Sequence, residues 1–259
     1  MPGLPFFLEF RQLPLGFIGG RRFVDRVQMR HHPLAIFPKE ALTRVGAACS
    51  HSTLLTLNSV FNYLWVGHWM KSRGFRVLRR VESREQVFET AAREIRDRQV
   101  LYLEFGVNRG ASIRTWSGLL RNPRSNLHGF DSFEGLPESW DLSAPKGDFA
   151  LGGAVPVVED SRVSFFKGWF SETLPRYVPP AHEELFVNFD ADLYSSTKTA
   201  LEFLKPHVSI GTYLYFDECQ AREHESKAFD EFLSDTGWTF QVVAASRGLS
   251  NVLFQRIPA

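Results

Sequence analysis

Cysteine is scarce in this chain: 259 residues include only Cys49 and Cys219. Two thiols cannot build a disulfide framework, and they lack the Cys-x-x-Cys spacing of a zinc site. The expectation is a reducing, cytoplasmic setting. Excess charge is also lacking: 30 basic and 29 acidic residues leave a formal net charge of +1. That balance excludes a polycationic nucleic-acid coat or a highly charged disordered tail, so no nucleic-acid partner is expected. No long apolar run is present either. The most apolar stretch, Thr53 to Met70, is interrupted by Asn58, Asn62, Gly67 and His68. It falls short of the roughly 20 mostly apolar residues of a membrane span. The N-terminus carries no basic residue ahead of its apolar part and meets Glu9 and Arg11 early. It is a poor signal peptide and reads as an irregular arm rich in Pro, Gly and Phe.

What is present has an ordinary globular balance, 44% hydrophobic and 23% charged, with one excess: 24 residues are Phe. Residues 1–80 are rich in Arg, His and aromatics and show little periodicity. Phe61, Trp65 and Trp69 have helical spacing, which suits a helix packed on the core, or alternatively a lid or dimer contact. Residues 83–97 form an amphipathic helix. Ser83 is a plausible N-cap with Gln86 three residues on, and Phe88, Ala91, Ala92 and Ile95 fall on one face.

Beyond that helix, short apolar runs alternate with helical stretches. The runs are Val100–Phe105, Asn126–Phe130, Val163–Phe166, Leu185–Phe189, Thr212–Phe216, Thr239–Val243 and Asn251–Gln255. Segments 110–121, 170–176 and 195–205 between the first five can hold helices. Alternation of this kind gives right-handed crossovers and a parallel sheet with helices on both faces. The runs are continuous rather than alternating, as buried parallel strands are. Residues 223–235 look helical, and the last two runs flank only a short link, which predicts a terminal antiparallel hairpin. The expected fold is α/β, a doubly wound, mostly parallel seven-stranded sheet over residues 98–259. Residues 1–97 form an N-terminal arm and helical extension for lid, acceptor or oligomer contacts.

The first run ends in Glu104-Phe-Gly106-Val-Asn108-Arg-Gly110-Ala-Ser112. This is a glycine loop at a strand-to-helix turn, where free N–H groups favour an anion or carboxylate. It is not G-x-G-x-x-G, so the dinucleotide fingerprint is absent. Asp131 ends the next run; an acid there can accept hydrogen bonds from ribose hydroxyls or cap the following turn. Two later runs end in Asp190-Ala-Asp192 and Asp217-Glu218. Carboxyl ends of parallel strands converge on one crevice, and four carboxylates there require either a bound cation or raised pKa values. Mg²⁺, which takes hard oxygen ligands, is the expected ion.

Four pieces in order resemble the macrocin O-methyltransferase family of class I S-adenosylmethionine-dependent methyltransferases. They are Glu104–Gly110, Asp131-Ser-Phe-Glu-Gly-Leu-Pro137, Gly168-Trp-Phe-Ser-Glu-Thr-Leu-Pro175 and Asp190-Ala-Asp-Leu-Tyr-Ser-Ser-Thr197. The resemblance implies methylation of a hydroxyl on a sugar or glycosylated small molecule. It places Glu104, Gly106, Asn108, Gly110 and Ser112 around the methionine end of the cofactor and Asp131 on its ribose. It makes Asp190, Asp217 and Glu218 the Mg²⁺ ligands, with Asp192 a ligand or the base; His224 is a second candidate base. The Asp-Glu pair departs from the more usual Asp-Asp or Asp-Asn, and residues 191–197 hold no Lys to match the catechol-type catalytic lysine. Two rivals remain. A non-catalytic adenosine-binding module has little use for four converging acids. An NAD-dependent sugar enzyme would need the missing G-x-G-x-x-G fingerprint. Acceptor recognition is expected in residues 1–80 and in the loop 138–160, which reads as a lid. A homo-oligomer through the aromatic N-terminal region is also an expectation.

Overall fold

The computed structural model describes residues 36–140 and 144–259, with side chains from residue 39 onward. The N-terminal arm, residues 1–35, lies outside the described residues, as does 141–143 within the expected lid. The chain divides into two units at residue 48. Of the first, helix α1 (Ile36–Ala48) is described. The second, from Cys49 to Ala259, holds everything discussed below.

Helix α2 (His51–Ser72) is capped by Ser50, whose side chain accepts from the Thr53 N–H at 3.1 Å. Its Val66, Trp69 and Met70 are buried, whereas Phe61 is exposed. Trp69 stacks on Trp65 and meets Phe75, Phe229 and Phe254 edge-on. Strand β1 (Arg80–Val81) and helix α3 (Arg84–Ile95) follow. The capping box forms: Ser83 accepts from the Gln86 N–H, and the Gln86 side chain accepts from the Glu82 N–H.

The alternation then runs as its sequence predicts: β2 (Val100–Phe105), α4 (Ala111–Leu119), β3 (Asn126–Asp131), β4 (Val163–Lys167), α5 (Phe170–Thr173) with a 3₁₀ turn at Leu174–Arg176, β5 (Glu184–Phe189), α6 (Tyr194–Leu204), β6 (Tyr213–Phe216), α7 (Glu225–Thr236), β7 (Thr239–Ser246) and β8 (Val252–Ile257). The strand order is β1-β7-β8-β6-β5-β2-β3-β4, parallel except where β8 runs antiparallel to β6 and β7. The sheet therefore has eight strands, one more than the seven expected. The addition is β1, two residues long and paired with Ala245 and Ser246; so short a strand leaves no apolar run to read. No described helix is long and apolar enough to cross a membrane.

The excess of Phe has a structural cause. Phe166, Phe130, Phe105, Phe189 and Phe216 lie side by side in register across β4, β3, β2, β5 and β6. Adjacent rings stack with centroids 4.8, 5.3, 5.6 and 4.7 Å apart. Each Phe immediately precedes the residue at which its strand ends or leaves the sheet, including Gly106, Asp131, Asp190 and Asp217. The row is thus an apolar floor under the carboxyl edge of the sheet. Phe189 is fully buried at its centre. Phe189→Ala should cost about 3–5 kcal/mol of stability, the usual range for a buried Phe, measured by urea denaturation. A loss below 1 kcal/mol would mean the row is not a packed layer.

Candidate active site

The glycine loop joins β2 to α4. Gly106 has φ +88, and a Cβ there would lie 1.8 Å from the Asp190 carbonyl oxygen. Only glycine lets the loop pass the end of β5 so closely. Gly110, also left-handed at φ +76, starts α4 without a side-chain cap. Asp131 braces this loop. Its Oδ2 accepts the N–H groups of Val107 and Asn108, both at 2.8 Å, and its Oδ1 accepts the Phe133 N–H at 2.7 Å. Oδ2 has thereby filled both of its acceptor sites, and Oδ1 keeps one. Glu104 lies behind the loop, buried, and accepts the Tyr102 hydroxyl at 2.6 Å. Tyr102 in turn accepts the Asn188 amide at 3.0 Å. Burial pushes the Glu104 carboxyl up to about 8.

Across the crevice, β5 and β6 deliver the acids. Asp192 has φ +59, and the Leu193 N–H donates back to Ala191 at 2.6 Å, a tight three-residue turn about Asp192. Non-glycine residues rarely adopt this backbone; strain of this kind is found where a side chain must be aimed. Burial, then repulsion by Glu218, Asp217 and Asp131, raises the Asp192 carboxyl to about 7. Burial chiefly raises Glu218 to about 7 as well, against a hydrogen bond from Gln220. Asp190 lies above the ordinary carboxylate range through burial and then the charges of Asp217, Asp192 and Glu104. Asp217 is tied down: it accepts the Tyr215 hydroxyl at 2.5 Å and the Asn251 amide at 2.9 Å. Arg84, the first residue of α3, places one guanidinium nitrogen 3.8 Å from Asp190 and 3.8 Å from Asp217.

A cavity of about 510 Å³ opens between the two sides. Gly106, Asn108 and Asp131 line one wall; Asp190, Asp192 and Glu218 line the other. Trp140, Phe149, Trp169 and Phe170 supply aromatic surface. Its lining does not include Glu104, Gly110, Ser112, Asp217 or His224. Ser112 is buried in the first turn of α4, and His224 precedes α7 with its ring 6.2 Å from Trp140, edge to face. Among the described residues no three His, Cys, Asp or Glu side chains are gathered as a metal site. The donor chemistry nevertheless suits a hard cation. Asp190 and Asp217 share one guanidinium at 3.8 Å, and burial, then repulsion among the acids, raises Asp190, Asp192 and Glu218, an oxygen-rich set of the kind hard cations take.

Two residues of this site were not singled out from sequence. Arg84 left a faint signal, since a cation in the first turn of a helix opposes the macrodipole and needs acids nearby. Glu225 left none, because an acid at a helix start is ordinary; its carboxylate is fully buried and bonds the Ala191 and Glu218 N–H groups.

With this geometry in place, known proteins can be set beside the chain. The profile of the family described as Macrocin-O-methyltransferase (TylF) matches residues 157–244. The chain resembles these macrocin O-methyltransferases. It is 33% identical over 136 residues to a Streptomyces olivaceus 8-demethyl-8-(2,3-dimethoxy-alpha-L-rhamnosyl)-tetracenomycin-C 4'-O-methyltransferase, covering 45% of this chain and 51% of that one. It is 37% identical over 150 residues to the Streptomyces niveus demethyldecarbamoylnovobiocin O-methyltransferase, covering 50% and 56%. The matches thus span about half the length of these curated relatives. Among solved structures, a calicheamicin methyltransferase superposes with a TM-score of 0.53 at 23% identity, over 66% of this chain and 77% of that one. The O-methyltransferase NovP gives 0.51 at 24%, over 68% and 80%. The fold is the Rossmann-like methyltransferase fold, as the sequence led one to expect.

The raised carboxyls make stability depend on pH. Glu104, Asp192 and Glu218 bind protons more tightly in the fold than in the unfolded chain, where such groups titrate near 4. Their contribution is complete below that value and is lost as pH rises through about 7 to 8. His128, held down to about 4 by burial, acts in the opposite direction only below its unfolded value of 6.5. Between pH 6.5 and 8.5, in chelator and without ligands, stability should therefore fall by about 1 kcal/mol or more per pH unit. Asp192→Asn and Glu218→Gln should each flatten that slope. A melting temperature that rises across this window would show that these acids are ionised in the fold.

Proposed function

We propose that the chain is an S-adenosylmethionine-dependent O-methyltransferase acting on a hydroxyl of a sugar or glycosylated small molecule. One observation carries the reading: a braced glycine loop and a set of proton-retaining acids face each other across a single cavity at the carboxyl edge of the sheet. That is where open α/β sheets bind ligands. The sugar-directed names of the curated relatives support the acceptor class.

In this reading the loop from Gly106 to Gly110 receives the methionine end of the cofactor, with Glu104 and Ser112 behind it. The free acceptor capacity of Asp131 Oδ1 takes a ribose hydroxyl. The methyl group is activated by the cofactor itself, so the protein has to orient the acceptor hydroxyl and take its proton. Asp192 suits that second task, because a carboxyl near 7 is matched to general base catalysis at neutral pH. His224 stands behind Trp140 and is the reserve candidate. Asp190, Asp217 and Glu218 would hold a Mg²⁺ ion, which lowers the pKa of a bound hydroxyl when present. Arg84 supplies counter-charge to Asp190 and Asp217 by itself.

The test is S-adenosylhomocysteine release with a panel of rhamnosylated and other deoxyhexose-bearing acceptors. Turnover should stop in excess chelator and return with Mg²⁺. Asp192→Asn should slow turnover by about 10²–10⁴-fold, the usual contribution of a general base, with cofactor affinity unchanged. Asp131→Ala should weaken S-adenosylhomocysteine binding by about 1–3 kcal/mol. Cofactor binding without turnover on any acceptor would favour a non-catalytic adenosine-binding module. Full activity in chelator would make the acids purely acid–base or structural groups.

A further inference from the structure

The acid-bearing loops after β5 and β6, with four acids between them, meet a fifth carboxyl group from α7. Asp190 and Asp217 are each fixed by a backbone bond to the neighbouring strand: the Asp190 N–H donates to Phe105 at 2.9 Å and the Asp217 N–H to Phe189 at 3.0 Å. The next N–H along each loop has left the sheet and has no strand carbonyl to meet. Both turn to Glu225, the first residue of α7. Its Oε1 accepts the Ala191 N–H at 3.2 Å and its Oε2 accepts the Glu218 N–H at 3.0 Å. Glu225 is completely buried, and Ala191 is 8% exposed.

We propose that Glu225 is a positioning residue that clamps the two acid-bearing loops to each other through their backbones, fixing Asp190 and Asp192 relative to Asp217 and Glu218. The inference builds on the proposed methyl transfer, for which those acids supply the working groups. A carboxyl group, whose proton burial holds well above the ordinary carboxylate range, is required because there are two donors and each needs its own oxygen. An amide offers one oxygen and turns an NH₂ toward the second N–H. An ordinary helix-start acid would bond the free N–H groups of its own helix; Glu225 instead reaches loops 34 and 7 residues away. The Ala191 bond is buried and the Glu218 bond part-buried, so losing the shared acceptor leaves at least the Ala191 N–H without a partner and frees the loops from each other.

Glu225→Gln in the full chain tests this, with S-adenosylhomocysteine binding used to count folded sites. Amide exchange is followed residue by residue. At Ala191 or Glu218 it should quicken about tenfold or more, the equivalent of losing one hydrogen bond. The Val107 and Asn108 amides, held by Asp131, should be unchanged. On an acceptor from the panel above, kcat per binding site should fall about 10–100-fold, as displaced reacting groups do, while KM for the cofactor stays within twofold. Unchanged exchange at both amides would overturn the clamp, and so would equal quickening at Val107 and Asn108, which is general loosening. If the Gln variant binds no S-adenosylhomocysteine, Glu225→Asp takes the same measurements, since it keeps both oxygens but falls one methylene short of the two loops. If wild-type protein methylates nothing, the methyltransferase reading fails, and the exchange data still decide the clamp.

Discussion

Negative charge crowded onto one edge of a parallel sheet is the constraint around which this structure is arranged. β5 and β6 end in Asp190-Ala-Asp192 and Asp217-Glu218, and the row of Phe beneath them removes the solvent that would screen the charges. Unrelieved, such an arrangement would push the loops apart. The protein relieves it in three ways. Asp192, Glu218 and Asp190 hold protons to higher pH than ordinary carboxyls. Asp217 accepts hydroxyl and amide donors from Tyr215 and Asn251. Arg84 brings a positive charge from α3 to within 3.8 Å of Asp190 and Asp217. Asp190, Asp192 and Glu218 line the cavity itself, so they are the groups that anything bound there meets.

The apolar floor and the polar edge are one pattern seen from two sides. Strands that end in Phe–Gly or Phe–Asp turn a ring into the core and then release the chain at the same height in the sheet. Register makes the rings stack, and because the rings stack, the residues that follow emerge side by side. Side-chain positions at the edge are therefore set by packing below it, where shape is enforced most strictly. The positive φ values of Asn108, Phe133 and Asp192 all fall in the loops leaving this row. Backbone strain is concentrated there because the rigid layer beneath can hold it.

Much of this was legible before the structure. The buried strands are continuous apolar runs, so their number, their order of alternation with helices and the closing hairpin followed from the sequence. Strand ends located Asp131, Asp190 and Asp217, and the parallel topology required them to converge. β1 was missed because its two residues are defined by pairing with β7 and not by their own composition. The partners of the acids were missed for the same reason. Arg84 reaches Asp190 and Asp217 from more than one hundred positions earlier in the chain, and no local pattern links Glu225 to Ala191. Asp131 was read as a ribose ligand or a cap; its bracing of the Val107 and Asn108 amides appears only when β2 and β3 stand side by side.

The two walls of the cavity are built by the same device. On one, a single carboxylate, Asp131, accepts backbone N–H groups from its own turn and from the glycine loop. On the other, Glu225 accepts backbone N–H groups from the loops after β5 and β6. The two sets of bonds share no residue, although the walls meet where Gly106 passes close beneath the Asp190 carbonyl and where the Asp190 N–H bonds Phe105. A carboxyl group suits this work because its two oxygens point in two directions, so one side chain can reach two stretches of backbone. In the proposed methyl transfer, the glycine-loop wall would receive the cofactor and the acid wall the acceptor, each with its own carboxyl anchor. The floor of five Phe residues, common to both, keeps the distance between them fixed.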